Sequence, residues 1–261
     1  METRLVDEAW RLLDREALAA IARRGPPPVF ATVSGAHLYG FASPDSDVDL
    51  RGAYLLPLRE VLGLRPLRET ITLEEQGPFE LDWVAHDLRK FVRLMTQHNG
   101  YVLEQLYSPL VVIATPAFEA LRELGRGCVT RPLVRHYQGF AHGRRKRLHE
   151  PEPTVKHLLY AYRVLLSGIH VLRTGELESN LETLQASFRS DVVDALVLRK
   201  RTGAEVMRLD PSELAEHEVH LDRLEQDLIR AHAESPLPEE PTTAEALEDL
   251  VVRVRLEGLD G

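Results

Sequence analysis

Two aspartates separated by one residue, Asp47 and Asp49, are the side chains best suited to chemistry in this chain. They lie at the start of a predicted strand, Val48 to Leu56, and because side chains alternate across a strand, both carboxylates should point to one face. Adjacent carboxylates repel each other, so one tends to become protonated unless a cation joins them. Oxygen ligands of this kind suit Mg²⁺ or Mn²⁺, completed by water and substrate phosphates. The pair therefore predicts a divalent metal site.

A glycine-containing segment, Ser34 to Gly40, comes shortly before the two aspartates. A predicted strand from Val29 to Val33 leads into Gly35, and a short helical turn should follow. Glycine lets backbone amides approach a phosphate closely, and the amides at a helix start attract anions. The segment and the carboxylate pair together predict a combined triphosphate and metal site. His37 would either donate to a phosphate oxygen or pack against Tyr39.

Several other kinds of site with similar residues are excluded, because residues that they require are absent. An EF-hand loop starting at Asp45 would need Gly at position 50 and Glu at position 56, where the chain has Leu50 and Leu56. A Walker loop needs Gly-Lys-Ser/Thr, which is absent from this segment. A dinucleotide fingerprint needs three glycines at set spacing, which Gly35 and Gly40 do not supply. An acidic turn between two strands is the remaining structural alternative.

Composition restricts the possible partners. Hydrophobic residues make up 44% of the 261 residues and charged residues 28%, and the formal net charge is −9. An acidic chain does not attract nucleic acid over its whole surface, so an RNA partner would need a local basic patch. The candidates are the run at residues 142–147 and Arg199-Lys200-Arg201. Alternatively, these runs are solvated helix faces.

The sequence also predicts where the protein resides. No apolar run approaches the ~20 residues that a membrane-spanning helix needs, so no membrane partner is expected. The acidic start lacks the pattern of a signal peptide. The single Cys128 excludes an internal disulfide. We therefore expect a cytoplasmic protein.

Periodicity divides the chain into two parts. Strand patterns occur in the first 110 or so residues, where a third strand is predicted over residues 79–85 after a turn at residues 77–78. Helices are predicted in the same part over residues 4–23, 87–95 and 101–107. Beyond residue 116 the apolar spacing is helical, over residues 117–149, 155–174 and 212–233. We therefore expect an α/β domain over residues 1–115 and a helical domain over residues 116–261.

The residues around the aspartates resemble the DNA polymerase beta-type nucleotidyltransferase superfamily. Its signature is Gly-Ser, a short spacer containing Gly, then Ser-Asp-x-Asp, and here Gly35-Ala36, Gly40 and Ser46-Asp47-Val48-Asp49 take those places. The wording Gly-Ala-His-Leu-Tyr-Gly, followed by Pro-Asp-Ser-Asp-Val-Asp-Leu-Arg-Gly, is similar to the branch associated with RNA repair. The resemblance covers residues 29–180. It departs from the pattern at Ala36, where the superfamily has a phosphate-contacting serine, and at Tyr160, where the branch has a histidine.

The resemblance implies a fold and a site. The fold would be α+β, with a nucleotidyltransferase-like mixed β-sheet and flanking helices, followed by a C-terminal helical domain. A third carboxylate on a neighbouring strand would be Asp82, with Glu80 on the same face as the alternative. Asp47, Asp49 and Asp82 would be the catalytic residues and the ligands of Mg²⁺ or Mn²⁺. The expected nucleotide-binding residues are Ser34, Gly35, Ala36, His37, Gly40, Ser46 and, from one face of a later helix, Lys156, Tyr160 and Arg163.

The implied activity is metal-dependent transfer of a nucleoside monophosphate from a nucleoside triphosphate to a hydroxyl, with an RNA end as the first candidate acceptor. A protein or a small molecule such as an antibiotic is the alternative acceptor. The net negative charge of the chain suits such an acceptor better than RNA. A non-catalytic or toxin–antitoxin interaction protein is a different class. Arg144 to His149 and Arg163 to His170 match Arg-x4-His and Arg-x6-His, spacings found in helical ribonucleases partnered with small nucleotidyltransferases.

Overall fold

The computed structural model of the protein describes residues 2–76, 80–203 and 207–259. Its five described strands are β1 (Pro28–Val33), β2 (Val48–Tyr54), β3 (Thr70–Gln76), β4 (Glu80–Asp87) and β5 (Val111–Ala114). They form one sheet in the order β3-β4-β2-β1-β5. The β2–β4 pair is parallel, and the other neighbours are antiparallel. The predicted mixed sheet with flanking helices is therefore confirmed.

The chain separates into two compact units, which are interleaved along the sequence. The sheet unit consists of described residues of 3–38, 47–128 and 241–259, and the helical unit consists mainly of residues 39–46 and 129–240. The domain boundary predicted at residue 115 stays a prediction. Each of the two compact units is made of more than one stretch of the chain.

The sheet unit has apolar residues on both faces of its sheet. Its helices are α1 (Glu2–Trp10), α2 (Arg15–Ala22), α3 (Gly35–Tyr39, whose last residue belongs to the helical unit), α4 (Leu58–Leu62), α5 (Leu88–Thr96), α6 (Gly100–Leu106), α7 (Pro116–Gly125) and α13 (Ala244–Glu257). One face packs Val48, Leu50 and Trp83 into a core with α2. On the other, the ring of Phe30 contacts Phe91 of α5 and Phe118 of α7.

The helical unit is built around one long buried helix. Its helices are α8 (Val134–Leu148), α9 (Val155–Thr174), α10 (Leu181–Phe188), α11 (Asp191–Thr202) and α12 (Pro211–Glu234). Thr154 begins α9 with a capping box, and Gly175 ends it in the left-handed conformation at φ +77°. Most of α9 is buried, and α8 and α12 pack against it. Among the described residues, no helix is both long and apolar enough to cross a bilayer.

Several predicted elements differ from the observed ones. The helix predicted over residues 4–23 is two helices, because Asp14 accepts hydrogen bonds from the amides of Glu16 and Ala17 and starts a new helix. The helix predicted over residues 117–149 is α7 and α8, separated by short 3₁₀ turns at Arg126–Cys128 and Arg131–Leu133. β3, β5, α10 and α11 were not predicted. The turn predicted at residues 77–78, together with Phe79, lies outside the described residues.

Candidate active site

Two of the predicted carboxylates lie side by side on neighbouring strands. In the parallel pair of β2 and β4, Asp49 is directly opposite Asp82. Both are partly exposed, whereas the residues that alternate with them, Val48 and Leu50 on β2, are buried in the core. The pleat therefore directs Asp49 and Asp82 to the other face of the sheet. Asp47 lies one residue before β2 and is also partly exposed.

The alternative third carboxylate, Glu80, lies elsewhere. It begins β4, where its register partner is Gln76 of the outer strand β3. The register between β4 and β2 starts only at Leu81, which is opposite Val48. Glu80 is exposed. The register thus places Asp82, and not Glu80, beside Asp49.

Arg51 joins the two neighbouring carboxylates. It lies two residues after Asp49, on the same face of β2, and its side chain is only 9% exposed. The Nη2 group lies 2.5 Å from Oδ1 of Asp49 and 2.8 Å from Oδ2 of Asp82. Burial lowers the pKa of Arg51, but the Tyr101 hydroxyl and the two carboxylates outweigh it and raise this pKa above its ordinary value. Arg51 is therefore a permanent positive charge between the carboxylates.

The turn at Gly35 adjoins the same carboxylate. The Ser34 amide donates to the Asp49 carbonyl oxygen at 2.8 Å, which brings the end of β1 beside the start of β2. Gly35 follows with φ +62°, and a side chain there would overlap the Asp49 carboxylate. The Ser34 hydroxyl is buried without a hydrogen-bond partner among the described residues. Ala36 and His37 are buried as well.

The donor set at Asp49 and Asp82 suits a hard divalent cation. Both side chains are carboxylates, the ligand class that Mg²⁺ and Mn²⁺ prefer, and the Arg51 guanidinium bridges one oxygen of each. Within the part of the chain that the structure describes, no three His, Cys, Asp or Glu side chains are grouped closely enough to hold a metal by themselves. A cation here would need further oxygens, which substrate phosphates and water supply in magnesium sites.

The predicted phosphate-binding residues of α9 lie in an aromatic cluster of the helical unit. The Tyr160 ring packs edge-on against Tyr39, at 5.6 Å, and against Phe41, at 5.4 Å between ring centroids. The Arg163 guanidinium lies 4.1 Å from the centre of the Tyr39 ring, and that of Arg144 lies 4.6 Å from the centre of the Tyr160 ring. Lys156 is partly exposed. The Tyr160 ring thus lies beneath Arg144 and packs against the Tyr39 ring that Arg163 covers.

A serine turn precedes Asp47 in the chain. The Ser43 amide donates to Oγ of Ser46 at 3.0 Å, and the Ser46 amide donates to the Ser43 carbonyl, also at 3.0 Å. The ammonium group of Lys200, fully buried in α11, donates to the Ser43 hydroxyl at 2.7 Å. Gly40, at φ +84°, has the Asn180 side chain against its Cα. The turn that leads into the aspartates is thus fixed by a buried cation.

The second predicted RNA contact, residues 199–201, is engaged within the protein. Lys200 is buried, Arg199 donates to Glu213 at 2.6 Å, and Arg201 pairs with Glu182. Arg199 is thus held by α12, Arg201 by α10 and Lys200 by Ser43, so the three side chains do not form a free basic patch.

The basic run at residues 142–147 contains both side chains engaged within the protein and exposed ones. Arg145 pairs with three acidic residues of α12, namely Glu218, Asp222 and Glu225. His142, Lys146 and Arg147 are exposed. The ribonuclease-like spacings fall on residues with structural contacts: Arg144 and Arg163 lie over the aromatic rings described above, and Nε2 of His149 is 3.4 Å from a Glu218 oxygen.

Sequence reasoning gave Arg51 and Lys200 too little weight. Side-chain alternation along β2 puts Arg51 on the same face as Asp49, so its place beside that carboxylate could be read from the sequence. Lys200 gave no such signal, because it lies within a basic run that is typical of a solvated helix face. The hydroxyl of Tyr101, which accepts from Nε of Arg51 at 2.9 Å, comes from α6 and was also missed.

Two proteins and one protein family are similar to this chain. The uncharacterized protein MJ0002 of Methanocaldococcus jannaschii is 30% identical over 174 residues, which cover 65% of this chain and 71% of that protein. The uncharacterized protein YcgL of Bacillus subtilis is 29% identical over 217 residues, 79% of each chain. Residues 13–253 match the family of RNA repair pathway DNA polymerase beta proteins. The chain therefore belongs to the RNA repair pathway DNA polymerase beta family.

Proposed function

We propose that this protein is a metal-dependent nucleotidyltransferase that moves a nucleoside monophosphate from a nucleoside triphosphate to a hydroxyl, most simply that of an RNA end. The observation that carries the proposal is the convergence on Asp49 of Asp82, from the parallel strand, and of the Gly35 turn. A polyphosphate beside this turn would lie next to the two carboxylates. Membership of a polymerase beta family supports the same chemistry.

Each part of the site has a role in this reaction. Asp47, Asp49 and Asp82 would hold Mg²⁺ or Mn²⁺. Such an ion neutralises the phosphates and makes an attacking hydroxyl more acidic. The backbone at Ser34, Gly35, Ala36 and His37 would bind phosphate oxygens through its amides. The remaining contribution is positioning, since charge neutralisation and alignment supply most of the catalysis of phosphoryl-type transfer.

Lys156 and Arg163 of the helical unit remain proposed nucleotide-binding residues. Arg163 lies over the Tyr39 ring and Arg144 over the Tyr160 ring, so these rings hold two cations of the unit in place. Gly40 and Ser46 would shape the turn that leads into Asp47. Tyr160, in place of the histidine of the branch, would act through packing and not as a proton donor.

Label transfer tests the proposal directly. The full-length protein is incubated with α-³²P-labelled nucleoside triphosphates, Mg²⁺ or Mn²⁺, and RNAs with different 3′ ends. Label should move to an acceptor with the wild type and fall at least about a hundredfold with Asp49→Asn or Asp47→Asn, because removal of one charge-stabilising group commonly has that effect. Asp45→Asn, an exposed acid just before the pair, is the matched control and should keep full activity. Transfer that persists in both active-site variants would refute the proposal.

Substitutions in the exposed part of the basic run, at Lys146 and Arg147, test whether the acceptor is RNA. If the acceptor is RNA, Lys146→Glu with Arg147→Glu should reduce transfer and flatten its salt dependence, because fewer phosphates are neutralised. Nucleotide binding should be unchanged in that variant. Transfer to a protein or a small hydroxyl compound with no RNA labelling would instead favour the alternative acceptors, for which the acidic surface is better suited.

A further inference from the structure

Every N–H group of the Arg51 guanidinium donates a hydrogen bond. Its Nε donates to the Tyr101 hydroxyl at 2.9 Å, and its Nη1 donates to the carbonyl oxygens of Leu50 at 2.8 Å and Asp82 at 2.6 Å. Its Nη2 donates to one carboxylate oxygen of Asp49 and one of Asp82. A guanidinium has five N–H donors, so every donor has an acceptor. The group is buried and fully satisfied.

Three of these acceptors do not belong to the carboxylate side chains. The two carbonyl oxygens come from strands β2 and β4, and the hydroxyl comes from α6. Arg51 would therefore keep its place even if Asp49 and Asp82 turned toward a metal ion. Movement of Arg51 would break its hydrogen bonds to two backbone carbonyls and a hydroxyl and leave its own buried N–H donors unsatisfied, which is unfavourable. Arg51 is therefore a cation in a fixed position.

A fixed cation affects the two carboxylates in two ways. It orients them, since each is held by one oxygen at hydrogen-bond distance. It also reduces the charge of the site: the three carboxylates of the proposed site and one guanidinium leave a formal charge of −2. One divalent ion balances that charge, whereas two such ions need the additional negative charge of a triphosphate.

We propose that Arg51 is a positioning residue that sets both the orientation of Asp49 and Asp82 and the number of divalent ions the site accepts without nucleotide. This inference rests on the proposed nucleotidyl transfer at the same site. With Arg51 in place, the free protein takes up a single divalent ion weakly, and full metal loading depends on the bound triphosphate. Without the charge of Arg51, cations bind more tightly on their own but the carboxylates lose their common orientation.

Two substitutions separate charge from geometry. Arg51→Gln removes the charge, whereas Arg51→Lys keeps the charge but cannot reach five acceptors. The exposed Arg89→Gln on α5 is the matched control for loss of one positive charge. Free Mn²⁺ is measured by electron paramagnetic resonance during titration of each full-length protein, with and without a non-hydrolysable nucleoside triphosphate. Label transfer is measured in parallel.

We expect Arg51→Gln to bind Mn²⁺ without nucleotide on the order of tenfold more tightly than the wild type, since a positive charge a few ångströms from the cation is gone. The Mn²⁺ affinity of Arg51→Lys should stay within about twofold of the wild-type value, because lysine keeps the positive charge. Both variants should transfer label more slowly, because both lose the fixed guanidinium whose Nη2 group holds one oxygen of each carboxylate. Arg89→Gln should match the wild type in both measurements.

The outcomes distinguish this inference from the proposed function. Arg51→Gln that binds Mn²⁺ no more tightly than the wild type, while the wild type transfers label, overturns the role of Arg51 alone. A wild type that binds no Mn²⁺ with or without triphosphate overturns both. If Arg51→Gln does not fold, Tyr101→Phe replaces it: it removes one acceptor of Arg51 without changing the charge. That variant should slow transfer with unchanged Mn²⁺ affinity, and a tenfold change in its affinity would contradict the charge argument.

Discussion

Gly35 and Asp49 are so close that a methyl group on the glycine would occupy the space of the carboxylate. The glycine also has φ +62°, a conformation that residues with a side chain rarely adopt. Space and backbone conformation thus both require glycine at the point where the proposed phosphate and metal sites meet.

Gly35→Ala should therefore abolish label transfer while the protein remains folded. The added methyl would push the Asp49 carboxylate aside and strain the turn, at a cost of about 1–3 kcal/mol in stability. Gly139→Ala is the matched control, because Gly139 lies in α8 with open space around it. That change should stabilise the protein slightly, by about 0.5–1 kcal/mol, with transfer intact. Label transfer and urea unfolding of both variants check the prediction, which fails if Gly35→Ala remains active.

Asp82→Asn should lose metal-dependent transfer, whereas Glu80→Gln should keep it. Asp82 is opposite Asp49 across the strand pair, while Glu80 is paired with the outer strand. Rates at several Mn²⁺ concentrations would show whether the loss in Asp82→Asn is partly recovered at high metal. Equal activity of Asp82→Asn and the wild type, with loss in Glu80→Gln, would assign the third carboxylate to Glu80.

Arg255→Met should destabilise the sheet unit strongly. Nη2 of Arg255 donates to both oxygens of Asp87, at 2.9 and 3.0 Å, and both side chains are almost fully buried. Removal of one partner leaves a buried charge without its counter-ion, which costs about 3–5 kcal/mol. Urea unfolding followed by tryptophan fluorescence would measure it, since Trp10 and Trp83 both belong to the sheet unit.

Arg93→Met is the control for this prediction. Its ion pair with Glu69 is partly exposed to solvent, so the loss should stay below about 1 kcal/mol. Asp87→Leu combined with Arg255→Met should recover part of the stability that Arg255→Met loses, because no charge is then left unpaired. A double variant less stable than both single ones would contradict this account of the pair.

Acid should weaken the helical unit through His136. Burial, with a smaller contribution from the nearby charge of Arg163, lowers the pKa of His136 from 6.5 to about 4. The unfolded chain therefore binds a proton more readily than the folded protein between these values. The contribution of His136 is complete above pH 6.5 and declines as the pH falls toward 4. At pH 5 the loss is about 2 kcal/mol.

The measurement compares urea unfolding at pH 7.5 and pH 5. His136→Gln should show a smaller drop in stability between these two pH values than the wild type, by about 2 kcal/mol. His142→Asn, on an exposed position of the same helix, is the control. The same drop in the wild type and in His136→Gln would show that another group causes the pH dependence.

The aspartate pair and the long helices were open to prediction because their signals are local. Alternation along β2 places Asp49 and Arg51 on one face, and the apolar spacing of α9 and α12 gives helices close to their observed bounds. β5 was missed because Val111–Ala114 is a short apolar run, which periodicity alone does not distinguish from buried helix.

Other features arise only from contacts between distant parts of the chain. The place of Asp82 beside Asp49 depends on the parallel register of two strands separated by β3, and the pairing of Asp87 with Arg255 joins residues 168 positions apart. No local pattern specifies either relationship. The same holds for the buried contact of Lys200 with Ser43, which joins residues 157 positions apart. Lys200 lies within a run of charged residues, so the sequence gives no sign that it is buried.

The position of α13 has a consequence for the order of events during synthesis. This helix belongs to the sheet unit, where Arg255 also donates to the Leu56 carbonyl oxygen, yet the whole helical unit is translated before it. A ribosome-bound chain that ends near residue 240 therefore carries all five described strands, but Asp87 still lacks its arginine. Completion of the sheet unit must wait until α13 has left the ribosome.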